Sequence, residues 1–495
     1  MSSFTKIVFI TGLLILLMGT ELQAQSRADS TWPMFLHDTY HTGLSPLIGD
    51  MDTCYNFWQY ETESTIMSSP ALGDIDNDGN LEVVVGTSGL PEYNVYALNG
   101  EDGSVLWLFP INHAVRSSPA LGDIDGDSLY EVVFGSFDNN VYALNGEDGS
   151  FLWSFPTNAL VDFSSPALGD IDNDGNLEVV IGSSDSTIYA LNGEDGSLLW
   201  SYETNRWVNS SPALGDIDGD SLYEVVVGSS DGNVYALNGE DGSFLWSFPI
   251  GDCHRSSPAL GDIDNDGNLE VVIGSQGGDL YALNGEDGSF LWSYETNSWG
   301  CSSPALGDID GDDSLEAVFM MPVCTVHAVN GEDGSFLWSY ITPGDRMISP
   351  SAALGDIDGD GLLEVVIGGG DYRLYALNGE DGSVLWSYQT LALIFAGAAF
   401  GDIDNDGNLE VVVGSSDHIV YAINGEDMGR LEESTVTRSN DFSRTIFRGP
   451  LVLPKDKNCK VFDITGRVVA PDKIQPGIYF IEIDGKITQK VVKVR

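Results

Sequence analysis

One phrase, written eight times, constrains this chain more than any other feature. DIDNDGNLEVVVG begins at Asp74, and close copies begin at Asp123, Asp170, Asp216, Asp262, Asp308, Asp356 and Asp402, at steps of 46 to 49 residues. A fixed period of that length marks an array of small units, none of which can bury its apolar surface alone. One unit, SSPALGDIDNDGNLEVVIGSSDSTIYALNGEDGSLLWSYETN, runs from Ser164 to Asn205. It divides into four short strand candidates: SSPALGD, LEVVIGS, TIYALN and SLLWSY. Gly, Asn and Asp clusters lie between them, as turns require. No helical period of useful length interrupts them. Four strands in a repeat of about 40–50 residues describe a β-propeller blade, so the predicted fold is all-β.

The tryptophans count the blades. Fourth-strand tryptophans stand at Trp107, Trp153, Trp200, Trp246, Trp292, Trp338 and Trp386, which makes seven. The last repeat ends YAINGEDMGRLEES and has none, while Asn56–Thr62, NFWQYET, matches FLWSYET near the start and supplies Trp58. The chain therefore opens with a fourth strand and its last repeat ends with a third. Joining them completes an eighth blade, closes the ring and removes open sheet edges. The predicted organisation is a signal peptide at 1–24, a lead-in at 25–54, an eight-bladed propeller at 55–427, a polar linker at 428–455 and a small β-domain at 456–495.

The repeated phrase carries its own chemistry. Asp74, Asp76 and Asp78 occupy loop positions 1, 3 and 5, Gly79 permits a sharp turn at 6, Asn80 offers its carbonyl at 7 and Glu82 a carboxylate at 9. Carboxylates this dense repel one another, and oxygen donors at this spacing are what a hard cation such as Ca²⁺ selects. The pattern recurs at Asp123, Asp125, Asp127 and Glu131, and at Asp170, Asp172, Asp174, Asn176 and Glu178. It returns at Asp216, Asp218, Asp220 and Glu224, and at Asp262, Asp264, Asp266, Asn268 and Glu270. The last three copies are Asp308, Asp310, Asp312 and Glu316, then Asp356, Asp358, Asp360 and Glu364, then Asp402, Asp404, Asp406, Asn408 and Glu410. Position 6 is Ser128, Ser221 and Asp313 in three copies, and the serine-bearing sites are expected to bind more weakly.

These loops account for much of an extreme charge. The 495 residues hold 76 acids against 20 lysines and arginines, for a formal net charge of −56. Such a charge argues against nucleic acid or an anionic membrane as partner. Eight Ca²⁺ ions would reduce it to about −40. At the N-terminus, Lys6 precedes an apolar run from Ile7 to Met18 and a small residue at Ala24, the pattern of a secretory signal. An exported protein meets calcium-rich, oxidising surroundings. Five cysteines are too few for a disulfide scaffold. A disulfide among Cys253, Cys301 and Cys324 is compatible with export, its pairing open, and a Cys/His metal site with His254 is the alternative.

Three resemblances follow from these motifs. The segment Ala97–Trp107, ALNGEDGSVLW, resembles the tryptophan-docking repeat of quinoprotein-like (PQQ-type) eight-bladed propellers, with Gly103 and Trp107 in place, Asn99 for the usual Asp and Asp102 for the usual Thr. Thr31–Gly43 looks like the lead-in of such proteins. The resemblance implies that the tryptophans staple blade to blade. The acidic loop resembles the calcium loop of integrin-type FG-GAP propellers, whose loop is followed at once by a strand. Val461–Arg467, Pro476–Phe480 and Lys490–Val494 resemble the C-terminal sorting domain of the type IX secretion system. With the signal peptide, that implies the secretion machinery as partner and delivery to the outer-membrane surface or beyond.

The position of function follows from the repeat. The turns DIDNDG and NGEDG share one face, hardly vary between copies and read as scaffold. The turns entering each first strand lie on the other face and differ in every copy, which is where binding residues are carried. Residues 54–427 contain no lysine and five arginines, of which Arg116, Arg206, Arg255 and Arg346 fall in these turns, with His254, Trp207 and Trp299. Met67, Arg116, Phe163, Asn209, Arg255, Cys301, Ser349 and Phe395 directly precede the first strands and are expected to ring the channel mouth. Arginine and aromatics at a concave opening suit sugars or carboxylates; the alternative is that each arginine pairs with a nearby acid. The leading expectation is a non-catalytic, calcium-binding surface or secreted binding or adhesion module, with a glycan or a protein as ligand on the variable face and no organic cofactor. A polysaccharide lyase using His113 or His254 as base is the second reading, and a quinone-dependent dehydrogenase the third.

Overall fold

The computed structural model describes residues 32–49, 51, 53–253, 256–296, 298–344, 346–348 and 350–425, and, towards the C-terminus, 446–447, 459–463, 467, 469, 477–483 and 486–493. The signal segment, most of the linker, His254, Arg255 and Ser349 lie outside the described residues. The chain divides into two compact units, Met1–Met428 and Gly429–Arg495.

The first unit is an eight-bladed propeller of antiparallel sheets. In the third blade the strands are Ala167–Gly169, Glu178–Gly182, Thr187–Asn192 and Leu198–Glu203, in spatial order. The eighth blade takes Ala399–Gly401, Glu410–Gly414 and Ile419–Gly425 from the end of the repeats and Cys54–Glu61 from the start. Trp58 lies opposite Ala422, as Trp200 lies opposite Ala190. The closure predicted from the missing tryptophan is therefore present.

The first strands are shorter than expected. SSPALGD contributes only Ala-Leu-Gly to its sheet. Proline lacks the N–H a ladder needs, and the two serines are otherwise engaged. The first accepts a hydrogen bond from the end of the second strand of its own blade, as in Gly86 N to Ser68 Oγ at 2.9 Å and Gly182 N to Ser164 Oγ at 2.8 Å. The second reaches the neighbouring blade.

The core lies between blades. Second strands such as Glu178–Gly182 are buried at every residue because a blade covers each face. One apolar cluster joins Val84, Val95 and Trp107 of the first blade to Leu121, Val132 and Phe134 of the second, and equivalent clusters follow around the ring. Among the described residues the NGEDG turn completes seven of the seams. Trp200 Nε1 donates to the carbonyl of Gly239 in the next blade at 2.6 Å, and its ring lies against Gly242, where a Cβ would fall 2.6 Å from the indole. Gly242 also needs φ +69°, so two constraints select glycine there. Seven such indole-to-carbonyl bonds run from Trp58 to Trp338.

The lead-in occupies the central channel. Trp32 bridges Leu72 of the first blade, and the Pro33 carbonyl accepts from Leu121 of the second. Thr39, Tyr40, Thr42 and Gly43 then present carbonyls to the first-strand leucines 214, 260, 306 and 354. Leu44–Ile48 adds a parallel strand beside Ala353–Asp356. Gly43 N closes back on the Leu36 carbonyl at 2.9 Å, so the intervening loop crosses the channel. Buried His41 donates from Nδ1 to the Pro258 carbonyl at 3.0 Å.

The second unit contains a four-stranded sheet in the order Ile446–Phe447, Lys486–Lys493, Gly477–Ile483 and Cys459–Asp463. The first pair is parallel and the others are antiparallel.

Candidate functional site

The loop carboxylates hold the backbone: in the first loop each does so with one oxygen, whereas Asp123, Asp170, Asp216, Asp262, Asp308 and Asp356 use both. Asp74 Oδ2 accepts from Gly79 N at 3.1 Å, Asp76 Oδ1 from Asp78 N at 3.1 Å, Asp78 Oδ1 from Asn80 N at 2.8 Å and Glu82 Oε2 from Ile75 N at 2.9 Å. Oxygens of these carboxylates also converge on one another. In Asp74, Asp76 and Glu82, in Asp170, Asp172 and Glu178, and in Asp216, Asp218 and Glu224, one oxygen from each residue lies within 4.8 Å of the others, and Asp123, Asp125 and Asp127 and Asp262, Asp264 and Asp266 group in the same way. Glu224, Glu316 and Glu410 are almost fully buried, and their Oε1 atoms have no hydrogen-bond partner among the described residues; nor have the Oδ1 atoms of Asp74 and Asp402.

Leaving those oxygens charged without a counterion is costly. Burial, reinforced by the three loop aspartates, pushes Glu82 up to about 8, Glu178 and Glu224 to about 7, and Glu410 to about 9. Orphaned, buried, converging carboxylate oxygens fit a divalent cation. Position 6 is left-handed in every variant: Gly79 and Gly361 have φ +95°, while Ser128 and Ser221 have φ +74° and Asp313 φ +69°. At Gly361 an added Cβ would meet nothing within 4 Å, so the conformation and not crowding favours glycine. The non-glycine loops thus adopt the same turn at a backbone cost.

The variable face opens onto a cavity of about 500 Å³ on the propeller axis. Met67, Arg116, Phe163, Asn209 and Phe395 line it, as their position before the first strands predicted, together with Phe35 of the lead-in. Arg116 Nη1 meets Asp162 Oδ1 of the next inter-blade turn at 3.5 Å, and its guanidinium lies over Phe137 at 4.7 Å and Phe163 at 5.5 Å. The wall is a girdle that the sequence reading missed, although SSP was visible in most repeats. Ser69 N donates to Ser118 Oγ, Ser118 N to Ser165 Oγ, Ser165 N to Ser211 Oγ, Ser211 N to Ser257 Oγ and Ser257 N to Ser303 Oγ, all at 2.9–3.0 Å, and Gly397 N donates to Ser69 Oγ at 3.0 Å.

Other expected residues fall elsewhere. Arg206, Trp207, Trp299 and Arg346 are exposed but do not line the cavity, and the two indoles are 49% and 77% exposed. His113 also lies outside the lining; it stacks on Tyr93 at 5.5 Å, and its Nδ1 accepts from Ala114 N. Cys301 does not ring the mouth. It packs against Gly274 in the slot that Val115, Val161 and Val208 fill against Gly86, Gly135 and Gly182, and Cys253 fills the same slot against Gly228. Cys253, Cys301 and Cys324 are free and buried, so the expected disulfide among them is not formed; two of them are core residues in valine positions.

Comparisons with known proteins agree on architecture. No curated protein matches the chain. The quinohemoprotein alcohol dehydrogenase ADHIIG from Pseudomonas putida HK5 superposes with a TM-score of 0.62 at 14% identity, over 86% of this chain and 84% of that one. The V. cholerae biofilm matrix protein Bap1 gives 0.62 at 16% identity, over 77% and 92%. BamB from Moraxella catarrhalis gives 0.52 at 16% identity, over 76% and 99%. At such identities these likenesses establish the fold. The family model described as outer membrane protein assembly factor BamB matches residues 57–161, 91–269, 224–364, 263–425 and 317–472. With its PQQ-type repeats matched along nearly the whole propeller, the chain belongs to that family.

Proposed function

We propose that this protein is an exported, calcium-stabilised propeller that binds a carbohydrate on its variable face without catalysis. The observation that carries the reading is the division of labour between faces. One face repeats the same loops with orphaned carboxylate oxygens, and the other varies from blade to blade around an axial cavity. In this reading the aspartates at positions 1, 3 and 5 and the glutamate at position 9 of each FG-GAP-like loop hold Ca²⁺, which supplies the countercharge that the buried glutamates lack. Among the described residues the cavity lining has one charged side chain, Arg116, already engaged with Asp162, and no acid–base pair. His113, one of the two histidines considered as a lyase base, stands outside that lining, which supports binding over lyase chemistry. Residues 1–24 would direct export, and the C-terminal unit would act as a type IX sorting domain delivering the propeller to the outer surface. One fold neighbour is itself a biofilm matrix protein.

The likeness to quinohemoprotein alcohol dehydrogenase favours a second reading, quinone-dependent oxidation. The described lining fits that cofactor poorly. An acidic quinone needs several cationic partners, and the one arginine present is shared with an aspartate. The two readings separate experimentally. Purified full-length protein in Ca²⁺ should be retained on polysaccharide, release no unsaturated uronate, and reduce no dye when given pyrroloquinoline quinone and alcohols. Dye reduction or uronate release would overturn the binding reading.

A further inference from the structure

The serine girdle points to a particular ligand chemistry. Ser69, Ser118, Ser165, Ser257 and Ser303 line the cavity and are each at most 5% exposed. Each Oγ already accepts a backbone N–H from the blade before it. A hydroxyl that accepts still carries its own proton. Among the described residues none of these five O–H groups has an acceptor. The girdle is therefore a convergent ring of donors whose partners must come from the cavity's contents.

Four further facts restrict those contents. The one charged side chain of the described lining, Arg116, is matched at 3.5 Å by Asp162 beside the cavity, and the chain as a whole is at −56. An anion entering would meet an unfavourable long-range field. Phe35, Phe163 and Phe395 give the cavity apolar surfaces for the faces of a ring. The lead-in crosses the channel inward of the girdle, so a long chain cannot thread it. The volume of about 500 Å³ is within the usual range for small-molecule sites.

We infer that the cavity receives the terminal residue of a neutral glycan, end-on, its ring oxygens and hydroxyls accepting from the serine girdle. This rests on the carbohydrate-binding reading and narrows it: the ligand is neutral, the contact is with a chain end, and the exposed Trp207 and Trp299 are not its platform.

The test is calorimetric titration of the full-length protein in Ca²⁺ with neutral oligosaccharides of glucose, galactose, mannose and N-acetylglucosamine, and with oligouronates. A neutral series should bind, and its free monosaccharide should compete. Met67→Trp and Met347→Trp, each placing an indole at the mouth, should weaken binding by about tenfold or more with the Ca²⁺-dependent melt unchanged. Binding that survives both variants and disappears in Trp207→Ala or Trp299→Ala overturns the inference while leaving the carbohydrate-binding reading intact. Binding of oligouronates alone does the same. No binding by either series overturns both.

Discussion

At the scale of single residues, position 6 of the acidic loop separates chemistry from backbone conformation. Ser128 and Ser221 hold φ +74° where most of the other copies place glycine, and an L-residue pays roughly 1–2 kcal/mol for that region. Ser128→Gly and Ser221→Gly should therefore raise the urea midpoint in saturating Ca²⁺, each by about 1 kcal/mol of stability, while Gly79→Ser should lower it by a similar amount. No gain from either glycine would mean that the serine side chain contributes something the turn geometry does not explain. The cysteines teach the opposite lesson. Their sulfur suggested a disulfide or a metal site, but Cys253 and Cys301 were legible only as positions in a line of residues. The slot against Gly228 and Gly274 is a packing feature, visible once Val115, Val161 and Val208 are seen in the equivalent place.

At the scale of elements, the repeats were legible because each has seven others to be compared with. The docking tryptophans, the closing strand and the variable turns all came from that comparison. Trp200→Phe should cost about 1 kcal/mol through the lost bond to Gly239. Gly242→Ala should cost more, since it meets both the indole and a left-handed backbone; equal effects in denaturation would contradict the staple. The lead-in has no second copy, and it grips the channel through backbone carbonyls that no side-chain pattern announces, so its path was not legible. It does leave a titration signature. Burial holds His41 at about 4, against 6.5 when exposed. Between those values the unfolded chain binds the extra proton, so the stability His41 contributes is complete above about pH 6.5 and falls as pH drops towards 4, by up to about 1.4 kcal/mol per unit. His41→Gln should flatten that slope in Ca²⁺-saturated unfolding curves whatever it does to overall stability. An unchanged slope would mean that His41 is not buried neutral.

At the scale of the whole molecule, eight blades sharing inter-blade cores and one closing strand should unfold together. Removing residues 25–62 takes away both the channel segment and the fourth strand of the eighth blade, and should abolish the cooperative transition. A truncated protein that melts as sharply as the parent would contradict the closure. The proposal that matters most at this scale is that a cation, bound by the acidic loops, holds together a face whose buried glutamates otherwise lack a countercharge. The direct measurement is scanning calorimetry of the full-length protein as purified, after exhaustive chelation and after Ca²⁺ is returned, with the bound metal counted at each stage. Several Ca²⁺ per chain, with a melting temperature that falls steeply on chelation and recovers with Ca²⁺, is the predicted result. Fewer than about one ion per chain, with a melt that chelation does not move, would contradict it.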